Sequence, residues 1–67
     1  MNFKHINYVL TVLTEGSITA ASKKLFVSQP ALSQTIKLNE QDLGAPIFDR
    51  STDPISLTHA GQRYVEA

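Results

Sequence analysis

The sequence predicts a small, mainly α fold: a three-helix core, a two-stranded β hairpin beside it, and the start of a further helix. Three observations carry this. Residues 3–13 place Phe3, Ile6, Val9, Leu10 and Leu13 at helical spacing, which makes one buried face. Ser17 to Lys37, SITAASKKLFVSQPALSQTIK, reads as two helices, each opened by a serine cap and joined by a turn too short to avoid a crossing. After Gly44, two short apolar runs, Ile47-Phe48 and Ile55-Leu57, flank the turn-forming cluster Ser51, Thr52, Asp53 and Pro54.

Taken in order, Asn2 is placed to cap a first helix that runs to about Glu15, and Gly16 suits the left-handed position after it. Ser17 caps a second helix over about Ile18 to Leu25, with Ile18, Ala21 and Leu25 facing inward. Ala20 and Ala21 are small enough for a neighbouring helix to pass closely. The turn Phe26-Val27-Ser28 lacks the glycine common in such turns. Val27 reads as an apolar plug beneath it, and Phe26 is open between buried and half exposed.

Ser28 caps the third helix, and Pro30 falls in its first turn, where its missing N–H costs nothing. At 100° per residue, Leu32, Ile36, position 39 and Leu43 form the inner stripe. Position 39 is Asn, and Leu38 points nearly the opposite way. Three readings of this conflict stand open: a buried and satisfied amide, a shift of helical register after Ile36, or reduced stability. Gly44 ends the helix. Thr58 caps a last helix on which Ala60, Tyr64 and Val65 begin a new apolar face.

Sixty-seven residues allow one domain, spanning 1–67, and such a chain buries roughly 60% of its unfolded surface. Apolar content of 42% argues against disorder. The absence of cysteine excludes a disulfide framework and a thiolate zinc site, and the two histidines, His5 and His59, have no ligand spacing. No metal or other cofactor is expected. No apolar run approaches membrane-spanning length and no signal-peptide pattern opens the chain, so it reads as cytoplasmic.

Net charge is zero, yet it is unevenly spread. Residues 1–39 carry Lys4, Lys23, Lys24 and Lys37 against Glu15, a balance of +3. Residues 40–67 carry Arg50 and Arg63 against Glu40, Asp42, Asp49, Asp53 and Glu66, a balance of −3. The base lies on the half that holds the helix pair. A helix held in this way, with the polar stripe Gln29, Ser33 and Lys37 on its open side, is suited to a DNA major groove.

These residues resemble the N-terminal winged helix-turn-helix domain of LysR-type transcriptional regulators. The resemblance covers nearly the whole chain. It rests on Gly16-Ser17, Ala20-Ala21, Leu25, Ser28-Gln29-Pro30-Ala31-Leu32-Ser33, Ile36, Glu40, Leu43-Gly44, Phe48, Arg50, Leu57-Thr58 and Ala60-Gly61. It implies a sequence-specific DNA-binding domain with its recognition helix at about 29–42. Residues 57–67 would begin a truncated linker helix, so the chain would be a piece of a longer protein. It also implies a homodimer formed through the first and last helices, an interrupted palindrome as target, and a small-molecule co-inducer bound only by a C-terminal domain absent here.

Carried over residue by residue, the resemblance makes Gln29, Pro30 and Ser33 the base-contacting candidates. A Gln amide can pair bidentately with adenine, and an apolar surface can touch a thymine methyl. The backbone-contacting candidates are Thr19, Lys24, Ser28, Gln34, Lys37 and Arg50. Ser28 serves as cap and phosphate ligand together. The bland alternatives are a solvated helix face for Gln29 and Ser33, plain solubility for Lys24 and Lys37, and a surface pair with Asp49 for Arg50.

The chain departs from the family pattern in three places. Gln34 replaces a common Arg, the wing tip carries Asp53 in place of base, and Asn39 replaces Leu. The first two predict weak monomer affinity and a shallow salt dependence. The rival reading is a winged-helix protein-interaction module, which zero net charge and an acidic wing would suit. An enzyme has no support in the sequence: no nucleophile–base pair or phosphate-cradling glycine loop is present.

Overall fold

The computed structural model describes residues 3–66. Four helices and one hairpin follow in the order α1 (Phe3–Glu15), α2 (Ile18–Leu25), α3 (Gln29–Leu43), β1 (Phe48–Asp49), β2 (Ser56–Leu57) and α4 (His59–Glu66). The predicted cap Asn2 and the predicted core side chain Phe3 lie outside what is described. The architecture is a winged helix-turn-helix: α1, α2 and α3 pack on one another, the hairpin stands beside them, and α4 returns against α1 and β2.

The core draws on every layer. Val9 and Val12 of α1, Ala21 of α2, Leu32 and Ile36 of α3, Ile47 and Phe48 of the wing root, and Tyr64 of α4 form one buried cluster. The α1 face is rotated from the predicted one. Val12 is fully buried, whereas Leu10 remains 39% exposed. The reason is tertiary: α1 is covered by α2, α3 and α4 together, so its inner face centres on Val9 and Val12 and leaves Leu10 at the rim.

Helix ends follow local chemistry. Gly16 takes φ +83° and donates to the Val12 carbonyl at 2.9 Å. Ser17 Oγ accepts the Ala20 N–H at 3.1 Å and caps α2. The α2–α3 turn closes as a Schellman motif: Val27 N–H donates to Ser22 O at 3.1 Å and Phe26 N–H to Lys23 O at 3.3 Å. Here Phe26 occupies the left-handed position usually given to glycine, at φ 57°, and its side chain is 94% exposed. It is neither buried nor half exposed, because the left-handed backbone turns it away from the core. Val27 packs against the core as the expected plug.

Asn39 is 3% exposed, within an uninterrupted α3, and its Nδ2 has no hydrogen-bond partner among the described residues. The register does not shift, and the amide is buried with its Nδ2 unsatisfied among the described residues. Leu38 is half exposed and Leu43 reaches 36%.

β1 is offset by one residue from the predicted run, and β2 falls within the predicted Ile55–Leu57. Phe48 pairs with Leu57 and Asp49 with Ser56 in antiparallel register. Ile47 precedes β1 because its N–H is taken by Glu40 Oε2 at 2.8 Å. Thr58 caps α4, with its Oγ1 accepting from Gly61 N–H at 2.9 Å and donating to Pro46 O at 2.6 Å.

Candidate nucleic-acid interface

The site is built on α3, and its first turn is set by Ser28. The Ser28 Oγ accepts the Ala31 N–H at 3.2 Å. A hydroxyl that accepts still has its proton to donate, so capping leaves Ser28 able to meet an anion. The inner stripe Leu32, Ile36 and Asn39 anchors one side of the helix. Gln29, Pro30, Ala31, Gln34, Lys37, Leu38 and Gln41 are exposed. The side directly opposite the anchor holds Pro30, Gln34 and Gln41. Ser33 is only half exposed. It lies two turns before Glu40 on the same stripe, and Glu40 faces the wing root. The predicted polar stripe therefore runs along the wing-side flank, while Pro30 and Gln34 occupy the centre of the open face.

The structure brings Thr19 and Arg50 together. Both line a cleft of about 300 Å³ between the start of α2 and the wing, with Gly16, Ser17, Ile18, Thr52, Asp53 and Ile55 as the other walls. The Ile55 N–H donates to Gly16 O at 3.1 Å and holds the two walls together. Arg50 does not make the surface pair with Asp49 that stood as the bland alternative to a phosphate contact. Asp49 instead serves the wing turn: its Oδ1 accepts from Ser51 N–H at 3.0 Å and from the Ser51 hydroxyl. These two donors, the hydroxyl foremost, hold the Asp49 carboxyl below its ordinary value of 3.8. Arg50 instead lies 3.8 Å from Glu40 Oε1.

Lys24 is not gathered into this cleft. It lines a separate open depression with Glu15, Ala20, Lys23 and Phe26. The other flank of α3 adds a base that the sequence reading passed over. Lys4 lines a groove with His5, Tyr8, Val27, Ala31, Leu32 and Thr35, and its Nζ sits 5.8 Å from the Tyr8 ring centre. No local signal marks Lys4, since only the packing of α1 on α3 brings it there. The wing tip, Ser51 to Pro54, is exposed and carries Asp53 as its charge. Thr52 Oγ1 braces it through Asp49 O, Pro54 O and Ser56 Oγ at 3.2, 3.0 and 2.8 Å. Among the described residues no cluster of His, Cys, Asp and Glu could hold a metal ion, and no helix is long and apolar enough to cross a membrane.

Comparison with known proteins fits this geometry. The chain is 37% identical over 65 residues to the HTH-type transcriptional regulator MetR of Haemophilus influenzae, covering 97% of this chain and 21% of that protein. It is 41% identical over 66 residues to the regulator BudR of Klebsiella aerogenes, covering 98% of this chain and 46% of BudR. Among solved structures, the BenM DNA-binding domain in complex with catB site 1 DNA superposes with a TM-score of 0.87 at 33% identity, covering 98% of this chain and 71% of that one. The CbnR DNA-binding domain in its DNA complex gives a TM-score of 0.84 at 38% identity, covering 98% and 76%. Residues 3–62 match the family model of bacterial regulatory helix-turn-helix proteins of the lysR type. The capped helix pair, the wing and these matches agree, and the chain belongs to the lysR family of bacterial regulatory helix-turn-helix proteins.

Proposed function

We propose that residues 1–67 are the sequence-specific DNA-binding domain of a LysR-type transcriptional regulator, with 57–67 beginning a linker helix. The observation that carries this reading is the open face of α3. A helix anchored by Leu32, Ile36 and Asn39 presents Gln29, Pro30, Gln34 and Lys37 to solvent from a capped first turn. In the reading, α3 enters the major groove, Gln29 and Pro30 meet base edges, and Ser33 reaches them from the wing-side flank. Ser28, Gln34 and Lys37 contact phosphates along the helix. Thr19 and Arg50 do so from the cleft between α2 and the wing, and Lys24 from farther along α2. Asp53 opposes phosphate, so the wing adds little, and monomer affinity is low with a shallow salt slope.

The chain spans only part of the length of the regulators it matches, and the remaining functions belong to this same proposal. A homodimer formed through α1 and α4 would set two recognition helices about 34 Å apart, or a multiple of that, on an interrupted palindrome. A further domain would bind the co-inducer, and the protein would act in the cytoplasm, at the nucleoid when bound to DNA. BenM and CbnR were each crystallised as DNA complexes of their DNA-binding domains, which supports the reading of α3.

The test is retention of a randomised duplex pool by the chain at low salt, followed by sequencing. Enrichment of a two-fold symmetric motif is expected. Loss of sequence preference at one position on Gln29→Ala, by about 1–3 kcal/mol, would assign that residue. No retention at any salt would transfer the proposal to a protein-docking role.

A further inference from the structure

Among the described residues Arg50 makes one ion pair, with the carboxylate of Glu40. Glu40 stands near the end of α3, and its backbone carbonyl accepts from Gly44 and Ala45 at 2.9 and 3.2 Å, closing the helix. Its side chain divides between two tasks. Oε2 accepts the Ile47 N–H at 2.8 Å. Oε1 faces Arg50 Nη2 at 3.8 Å. The Glu40 side chain is 19% exposed and that of Arg50 52%. A separation of 3.8 Å is within ion-pair reach and beyond hydrogen-bond reach. At that separation the carboxylate attracts the guanidinium without consuming its donors. Its outer side remains open to the cleft it shares with Thr19. Asp49, adjacent in sequence, turns its Oδ1 to Ser51, and Asp53 lines the same cleft.

Resting on the reading of Arg50 as a phosphate contact, we infer that Glu40 is a positioning residue for DNA binding and acts through Arg50. Arginine carries large rotamer freedom, and a contact that orders it before DNA arrives removes that cost from binding. The same carboxylate fixes the wing root to the end of α3, so the recognition helix and the Arg50 phosphate contact share one reference point. An acid thereby aids binding to a polyanion.

The experiment is a double-mutant cycle on the 67-residue chain, Glu40→Gln, Arg50→Gln and both, with a random-sequence duplex pool as probe. Phosphate contacts do not depend on sequence. The amide oxygen of Glu40→Gln keeps an acceptor for Ile47 and removes only the charge. Glu40→Gln is expected to weaken binding about threefold with the salt slope unchanged. Arg50→Gln should weaken binding and lower that slope by about 0.9. The double variant should match Arg50→Gln alone. Equal weakening by Glu40→Gln in both backgrounds would mean a purely structural role and overturn the inference, as would tighter binding by Glu40→Gln. Unchanged affinity and slope for Arg50→Gln would remove the phosphate-contact reading and the inference together. A readout free of Glu40 variants is the Arg50 Nε–H order parameter in the wild-type chain. Restrained motion is expected, and a freely mobile side chain would overturn the inference.

Discussion

Gly61→Ala is predicted to destabilise the domain strongly, although the substitution improves helix propensity. A Cβ at Gly61 would lie 2.1 Å from the Ile47 carbonyl oxygen and 3.2 Å from Leu57 Cδ2. Real Cβ contacts essentially never fall below 3.0 Å, so the helix or the wing root must move by about 0.9 Å, the difference between those distances. The atom in the way is backbone and cannot change rotamer. It also accepts the Thr58 N–H at 3.0 Å, so moving it weakens the start of α4.

Overpacking of this kind costs about 1–3 kcal/mol, and each lost hydrogen bond about 0.5–1.5 kcal/mol. Replacing Gly by Ala within a helix returns about 1 kcal/mol. The net is a loss of about 2 kcal/mol, or about 15 °C in melting temperature for a domain of this size. Thermal melts by circular dichroism measure it, with urea midpoints as a check. Gly44→Ala is the control. Nothing lies within 4 Å of a Cβ there, and only φ +81° is strained, so about 1–2 kcal/mol should be lost. A Gly61→Ala domain melting at or above wild type would refute the reasoning, because propensity alone would then govern the site.

Further variants test other features. Asn39→Leu should raise stability by roughly 1–3 kcal/mol, since it removes a buried amide whose Nδ2 has no partner; a lower urea midpoint would show that the site cannot accept the larger side chain. Phe26→Gly should stabilise by up to about 1 kcal/mol in a thermal melt, because the left-handed turn no longer carries a Cβ and a 94% exposed ring loses no packing. Burial raises the Tyr64 pKa from its ordinary value of 10.0. The raised folded value means that this contribution is complete below pH 10 and declines as pH climbs through the folded pKa. Tyr64→Phe should flatten that alkaline limb in denaturation curves taken across pH. It should fold at least as stably as wild type at neutral pH, since the hydroxyl has no partner among the described residues.

What the sequence disclosed was mostly local. The capping bonds of Ser17, Ser28 and Thr58 and the turns at Gly16 and Gly44 reach only a few residues, and each takes the role its chemistry suggests. The exposed face of α3 was legible for the same reason, since helical period and caps determine it. Features that depend on neighbours distant in the chain were not. Helical spacing favoured Leu10 over Val12, but three surrounding helices decide which is covered. The pairing of Arg50 with Glu40 spans ten positions, whereas the adjacent Asp49 turns its Oδ1 to Ser51. Gly61 was visible as part of a motif, but its cause, a carbonyl at the wing root, appears only when α4 is docked.

The wing has two residues in each strand, too few to persist as an isolated hairpin. It is nevertheless fastened to the helical body at two points, at Ile47 to the Glu40 side chain of α3 and at Ile55 to the carbonyl of Gly16 in the α1–α2 turn. Its opening is therefore governed by the helices and not by its own ladder. In amide hydrogen exchange, Ile47, Ile55 and Thr58 should report one shared opening event, with protection near that of the α3 interior and well above that expected for a surface loop.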